Sequence, residues 1–490
     1  MSTGYQGKPI QTAPAVSTTK SNPQFPYLCV DKFPTRSTTL RIGISFNIQD
    51  NLAVFCIAYC EQKRNNECDL FNIVYVRASN STSSVHCLFA ASKRISPSAL
   101  IIHSSVQSAY LHVNWSLLNS ELSDPTEAII VDGITQSYAV TLLDFVEYND
   151  KTDTADLSQA QSNATDTTYR RFSQLRWNLT SDKLTSNSPP YMLNGDEILE
   201  FTYSGNNTDT VFSSGGRVDM KFMVSNSEQH NPTKPRIKFI PGLSLQFEIS
   251  LVSLKTNLSN GRFGLRLGLV SQDPVTEQDD FLYSSTSSIN DEVTPGIFET
   301  VNLLLNERVN TVNSSLDPAR TSSWPAGFVQ SRPVCYISDD NREVKTSRNA
   351  LLAKSRDSVP KLDERKSILN LTLPYVFYGS RALPSVHTDG PLPVDNDTVG
   401  LRIQNVSLGT PGDGYYVASE FVVWTASFGL GEPPVDPLSP LLIGLLALST
   451  VVIIGSLLFG TLIILVLRHR TRPGRFELLS ESESVEPVST

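Results

Sequence analysis

The feature that constrains this chain most is an uncharged, apolar segment near its C-terminus. Residues 441–467 read LLIGLLALSTVVIIGSLLFGTLIILVL and contain no charged side chain. An α-helix rises about 1.5 Å per residue, so a helix over these 27 residues would exceed the ~30 Å hydrocarbon core of a bilayer. We therefore predict a single C-terminal transmembrane helix over 441–467, which makes the membrane itself one partner of the chain.

The charges on the two sides of this segment predict its orientation. Arginine stands at positions 468, 470, 472 and 475, whereas the nearest charged residues before the segment are Glu432 and Asp436. Positive residues beside a membrane span stay on the cytoplasmic side. We therefore predict a cytoplasmic tail over 468–490 and a type I topology, with the N-terminal bulk in a lumen or outside the cell, rather than a tail-anchored protein.

Potential N-glycosylation sites are spread over the whole region before the span and are absent from the tail. An Asn-X-Ser/Thr acceptor indicates an exposed position in a secreted or luminal domain. The predicted acceptors are Asn80, Asn114, Asn163, Asn178, Asn206, Asn257, Asn313, Asn370, Asn396 and Asn405.

The first residues do not fit the pattern of a signal peptide, which needs a basic region, an apolar stretch and a small-residue cleavage site. The best internal candidate is the stretch Asn51 to Cys60, NLAVFCIAYC, and it lies far from Met1. We interpret this stretch as a buried strand, and we expect that the given N-terminus is misassigned or extended.

Composition excludes some classes of protein. The net charge of −9 argues against a nucleic-acid partner, since phosphate binding favours a basic surface. A hydrophobic content of 40% is enough for packed cores. The six cysteines include no CxxC pair, so we predict no zinc site, and any disulfide pairing stays open.

Short apolar or alternating runs separated by Gly, Asn, Asp and Pro predict a mainly β fold. We expect β-sandwich lobes, two in number, over residues 70–430, followed by a Pro-rich linker over 431–440 and the transmembrane helix. Residues 1–69 are rich in Pro, Ser and Thr towards their start and are expected to be partly disordered. The one stretch that favours a helix before the span is Pro295 to Asn310, with Pro in a first-turn position.

The motifs of common enzyme classes are absent from the sequence. It has no HExxH, no GxxxxGK[ST], no GxGxxG after a strand and no GxSxG. GTPGDGYY at 409–416 is interpreted as a tight turn rather than a phosphate loop. We predict no enzyme activity and no catalytic, cofactor or metal residues, while a glycosidase carboxylate pair stays open because sequence does not give spatial distances.

The tail contains Leu478 and Leu479, which form a possible dileucine sorting signal. The acidic residue that such a signal has four positions before its first leucine is replaced by Gly474. Glu477 and the acids that follow are the nearest substitutes, and a plain solvated tail is the alternative.

Four stretches taken together resemble one family, the glycosylated lysosomal membrane protein family. They are YLHVNWSLLNS (110–120), SINDEVTPGIFETVNLLL (288–305), AGFVQSRPVCYIS (326–338) and EPPVDPLSPLLIG (432–444). The resemblance covers roughly residues 70 to 470 in collinear order. It implies a type I lysosomal membrane protein with an N-glycosylated, β-rich luminal part. It also implies a non-enzymatic accessory subunit that shields a multi-span major-facilitator transporter from luminal proteolysis.

The chain departs from the family pattern at several points. The tail has no tyrosine, so the family's Tyr-based lysosomal signal is missing, and Leu245 and Asp273 stand close to where the family has cysteines. Two other functions therefore remain alternatives: a cell-surface receptor or adhesion ectodomain, and a luminal hydrolase.

Overall fold

Strands dominate the computed structural model, as the alternating apolar runs predicted. The structure describes the chain over residues 54–58, 72–79, 81–92, 95–114, 117, 128–160, 167–180, 191–192, 197–206, 212–225, 227–240, 244–272, 287–289, 293, 296–305, 324–340, 342, 347–353, 367–370, 372–379, 399–431, 433 and 440–470.

The strands within these ranges are β1 (Val54–Ala58), β2 (Asn72–Ser79), β3 (Ser84–Ala91), β4 (Ser98–Ser104), β5 (Leu111–Val113), β6 (Ile129–Val131), β7 (Ile134–Asn149), β8 (Thr167–Arg171), β9 (Arg176–Thr180), β10 (Tyr191–Met192), β11 (Ile198–Asn206), β12 (Phe212–Ser225), β13 (Gln229–His230), β14 (Lys238–Phe239), β15 (Ser244–Leu254), β16 (Gly261–Ser271), β17 (Ser287–Ile289), β18 (Gly296–Leu305), β19 (Trp324–Ser331), β20 (Cys335–Tyr336), β21 (Ser347–Arg348), β22 (Ala350–Ala353), β23 (Gly400–Leu408) and β24 (Phe421–Leu430). The α-helices are α1 (Leu157–Ala160), α2 (Leu373–Tyr378) and α3 (Pro440–Arg470).

Most strands belong to two large antiparallel sheets. The first sheet has the order β10-β1-β2-β3-β4-β7-β16-β23-β22, with β8 beside β7. The second has the order β17-β18-β19-β24-β15-β12-β11-β9, with β20 beside β24 and β21 beside β20. The interpretation of 51–60 as a strand is confirmed for its middle, because β1 pairs with β2 and β10. The burial of β1 lies outside the described residues.

Side-chain alternation explains how the two sheets meet. Along β11, Leu199, Phe201 and Tyr203 are buried while Glu200 points outward, which is the period of two that a half-buried strand requires. These buried side chains face the first sheet: the rings of Phe201 and Phe89 on β3 are 5.0 Å apart. The Tyr203 hydroxyl also donates to the backbone carbonyl of Phe89 at 3.0 Å.

One hydrophobic core is shared by both sheets, with members on β2, β3, β7 and β16 as well as on β11, β12, β15 and β24. The expectation of two lobes therefore differs from the structure, in which the described residues before position 437 belong to one compact unit. A second apolar cluster lies on the outer face of the first sheet, where β5, β6 and α2 cover it. Helix α3 belongs to a separate unit.

The prediction of a helix over 295–310 is wrong for residues 296–305, the part that the structure describes. Residues 296–305 form strand β18, which pairs with β17 and β19. β-branched residues at Ile297, Thr300 and Val301 favour a strand, and pairing on both sides outweighs a weak helical period. The Pro-rich linker is followed by α3, which begins at Pro440 and extends three residues beyond the predicted span.

Candidate functional site

Four predicted glycan acceptors are exposed in the structure. Asn178 lies on the edge strand β9, Asn206 ends the neighbouring strand β11, and Asn257 and Asn370 lie outside the strands. Asn114 is partly exposed, and Asn405 is buried. The other four acceptors lie outside the described residues: Asn80, Asn163, Asn313 and Asn396. Among the described strands β9 is the last of the second sheet, so glycans at Asn178 and Asn206 would cover that edge. A sheet edge is the part most open to unwanted strand pairing.

Asn405 is the acceptor that the fold disfavours. It lies in β23 between β16 and β22, and the residue is 6% exposed. The hydroxyl of its sequon partner Ser407 is also buried and accepts a hydrogen bond from the Leu157 amide at 2.9 Å. A sugar is bulky and hydrophilic, so its attachment here would displace the residues that cover the strand.

The helix α3 is long and apolar enough to cross a membrane, and its residues are exposed or partly exposed. Its polar hydroxyls turn back onto the helix. Ser449 and Thr450 both donate to the Leu446 carbonyl at 2.8 Å, and Ser456 donates to the Ile453 carbonyl at 2.8 Å. These bonds satisfy polar groups that hydrocarbon would leave without partners.

Three glycines interrupt the apolar surface of α3. A methyl group added at Gly444, Gly455 or Gly460 would meet nothing within 4 Å, so open surface surrounds these positions. Small residues let another helix approach closely within a membrane.

The tail residues Leu478 and Leu479 lie outside the described part of the chain, and the dileucine signal stays a prediction.

A buried histidine sits in a hydrogen-bonded chain on the outer face of the first sheet. The Tyr75 hydroxyl is 2.6 Å from Nδ1 of His86, and the Ser84 hydroxyl is 2.8 Å from Nε2. Ser84 donates to the Val106 carbonyl at 2.7 Å, so it accepts from Nε2–H, and Tyr75 donates to Nδ1. Burial, with Arg77 nearby, lowers the pKa of His86 to about 3.

The contact between Ser84 and His86 resembles part of a nucleophilic pair. Ser84 is 1% exposed, and its hydroxyl hydrogen is directed to a carbonyl rather than to a substrate. The arrangement therefore fixes the loop at Val106 to the sheet instead of presenting a nucleophile.

An arginine network closes one end of the sandwich. The Arg262 guanidinium, which is 1% exposed, lies 2.7 Å from an Asp150 carboxylate oxygen and 2.6 Å from oxygens of Asp153 and Asp413. It also stacks on Tyr415 at 4.6 Å. The network ties the 409–416 turn to β7 and β16. The interpretation of GTPGDGYY as a turn is confirmed, since residues 409, 412 and 414 have the positive φ angles that glycine accommodates.

An apolar cleft of about 350 Å³ lies between β6, α2 and the first sheet. Its walls include Ile130 and Phe377, and at its base the Tyr378 hydroxyl donates to the Ser137 hydroxyl at 3.0 Å.

Within the described ranges, no group of three or more His, Cys, Asp or Glu side chains could hold a metal ion. The two cysteines whose side chains are described, Cys87 and Cys335, are buried and free.

Comparison with known proteins identifies the family. The family model described as glycosylated lysosomal membrane protein matches residues 72–471. Glycosylated lysosomal membrane protein B of Xenopus laevis is 25% identical over 406 residues, which is 82% of this chain and 88% of the relative. The Bos taurus protein is 26% identical, covering 81% of this chain and 85% of the relative. The Homo sapiens protein is 24% identical, covering 82% and 85%. Because the family model matches most of its length, the chain belongs to the glycosylated lysosomal membrane protein family.

Proposed function

We propose that this chain is a non-enzymatic accessory subunit that shields a multi-span major-facilitator transporter of the lysosomal membrane from luminal proteolysis. The kind of partner follows from the family resemblance. The observation that carries the proposal is α3, an apolar helix of 31 residues whose glycines are open to an outside neighbour. Among the described residues it is the one helix long and apolar enough to span a membrane. One such helix forms no channel or substrate path by itself. Its role would be to anchor the chain in the membrane and to contact a helix of the transporter.

Charge supports the orientation that shielding needs. Arg468, His469 and Arg470 lie in the last turn of α3, where positive side chains favour the cytoplasmic side. The β-sandwich would then lie in the lumen. The described strands are paired within two sheets and so present few extended segments to a protease, and glycans on the exposed acceptors would restrict access further.

Helix geometry divides the small residues of α3 into two faces. With 3.6 residues per turn, Gly444 and Gly455 lie within about 20° of each other around the axis. Ser449, Ser456 and Gly460 lie within about 40° of each other on another face, about 100–160° away from the first. Either face could seat a transporter helix, and the two faces serve as matched controls for each other.

The test is co-purification of the full-length chain with a multi-span lysosomal transporter. Leucine substitutions at Gly444 and Gly455 are compared with leucine substitutions at Ser449, Ser456 and Gly460. We expect one set to reduce recovery of the transporter at unchanged expression, because bulky side chains separate closely packed helices. Equal recovery with both sets would contradict a helix contact.

Topology is tested separately on sealed lysosomal vesicles. Protease added outside should remove the residues after 467 and leave a protected, glycosidase-sensitive remainder. A remainder without sugar, or digestion of the β-rich unit, would contradict the type I orientation and with it the shielding role. Residence at the cell surface instead of the lysosome would favour a receptor or adhesion ectodomain.

A further inference from the structure

A small polar pocket lies on the outer face of the first sheet, beside the turn that precedes α2. Its volume is about 70 Å³. Charged and polar side chains from β7, β8, β16 and that turn line it, together with two serines: Asp144, Arg171, Arg266, Asn370, Ser96 and Ser173. One of the predicted glycan acceptors thus forms part of the wall of a polar pocket.

The two arginines of the pocket are held in place by the fold. Arg266 is 3.1 Å from an Asp144 carboxylate oxygen and 5.0 Å from the centre of the Tyr169 ring. Arg171 donates to the Ser367 carbonyl at 2.6 Å and to the Ser367 hydroxyl at 3.2 Å. The pocket is therefore pre-organised, and Arg171 attaches the 367–370 turn to β8.

The acceptor sequence Asn370-Leu371-Thr372 is divided between the surface and the core. Asn370 is exposed, whereas Leu369 is fully buried and Thr372 is 1% exposed. The Thr372 hydroxyl donates to the Leu369 carbonyl at 2.6 Å and accepts from the Tyr375 amide at 3.3 Å, which caps α2. Because this hydroxyl is enclosed in the folded chain, a glycan must be transferred before α2 docks.

We propose that this pocket seats the first N-acetylglucosamine of a glycan on Asn370. The acetamido group of that sugar is on the carbon next to the linkage, so it starts beside the pocket. On this measure a cavity needs only about 10–15 Å³ to hold one water molecule, so the pocket has room for an acetamido group. Its N–H would donate to the Asp144 carboxylate, and its carbonyl would accept from one of the two arginines.

The sugar would then join the turn before α2 to β7 and β16. That turn and α2 cover the outer apolar cluster of the first sheet, to which Leu369, Leu373 and Val376 contribute. The glycan therefore has a structural role in addition to shielding. The inference rests on glycosylation of Asn370 and does not depend on the accessory-subunit proposal.

Hydrogen exchange of the full-length chain in detergent tests the proposal. The chain is produced in cells that make high-mannose glycans, as wild type, as N370Q, and as N178Q for a matched acceptor on an exposed strand. Amides of residues 367–379 should exchange about tenfold faster in N370Q, because the hydrogen bonds between the sugar and the pocket are lost. N178Q should leave this segment unchanged.

Trimming with endoglycosidase H separates the first sugar from the rest, since it leaves one N-acetylglucosamine on each asparagine. The trimmed wild type should keep the slow exchange of 367–379. The proposal is overturned if mass spectrometry finds Asn370 unmodified, if N370Q exchanges like wild type, or if the trimmed chain exchanges like N370Q.

If N370Q does not fold, T372S provides the comparison. The substitution keeps a hydroxyl that can cap α2 but lowers the occupancy of the acceptor, so chains with and without the glycan occur in one sample. Peptides from the two forms differ in mass. Equal exchange of 367–379 in both forms would overturn the proposal, and faster exchange in the form without sugar would support it.

Discussion

The buried His86 makes the stability of the β-rich unit depend on pH in the range between a neutral and an acidic compartment. Its folded-state pKa of about 3 lies below the ordinary value of 6.5, chiefly because burial disfavours the charged ring. The unfolded chain therefore binds the proton first as the pH falls. The free energy of unfolding is unaffected above about pH 7 and decreases as the pH falls from about 6.5 towards 3.

The magnitude follows from this window. His86 stays neutral in the folded chain at about pH 5, while an unfolded chain with a pKa of 6.5 is largely protonated. Each pKa unit corresponds to about 1.4 kcal/mol, so this side chain lowers the free energy of unfolding by about 2 kcal/mol between about pH 7.5 and about pH 5. Burial also lowers the pKa of His103, which acts in the same direction.

Guanidinium denaturation of the full-length chain in detergent measures the effect, with the fluorescence of buried Trp177 and Trp424 as the signal. H86Q is compared with wild type and with H112Q, which changes an exposed histidine. H86Q should be less stable than wild type at about pH 7.5, because it loses the hydrogen bonds of the ring. On acidification to about pH 5 the stability of H86Q should fall by about 2 kcal/mol less than that of wild type. An undiminished fall in H86Q would refute the reasoning.

Further predictions concern the packing and the ion pairs of the sandwich, each checked by the same denaturation assay. Arg262→Met should lower the free energy of unfolding by about 3–5 kcal/mol, because it leaves the buried Asp150 carboxylate without its cation. Arg217→Met at an exposed pair should cost less than about 1 kcal/mol, and equal effects of the two substitutions would contradict this. Gly327→Ala should cost about 1–3 kcal/mol, because a Cβ there would lie 2.4 Å from the Tyr138 ring, and an unchanged stability would contradict that close contact. Burial acts to raise the pKa of Glu248, but its hydrogen bonds from an arginine hold that pKa below the ordinary 4.5. The contribution of Glu248 to stability is therefore present above about pH 4.5 and lost below it. The free energy of unfolding of E248Q should fall less steeply with decreasing pH below about 4.5 than that of wild type, and an equally steep fall would contradict a lowered pKa for Glu248.

The sequence alone predicted the membrane span, many strands and the glycine-rich turn, because each of these depends on residues close together in the chain. The apolar run gave a span that matches α3 within one residue at its start and three at its end, and alternation predicted strands such as β11. Turn chemistry identified the glycine-rich turn at 409–416. Hydrophobicity and backbone preference act over a few residues, so a single sequence reveals them.

Properties that depend on distant residues were not predictable in this way. Arg262 meets a carboxylate 112 positions before it and another 151 positions after it, and no spacing rule connects them. The helix expected at 295–310 is a strand because β17 and β19 pair with it. Asn405 matches an acceptor motif, yet its burial is decided by the strands on either side.

The most direct test of the central claim measures how long the proposed partner, a multi-span transporter, survives in lysosomes that lack this chain. The account predicts a shortened transporter half-life, restored both by re-expression of the chain and by inhibition of luminal proteases. A half-life that does not change on deletion, or a loss that protease inhibition leaves uncorrected, would contradict a protective subunit.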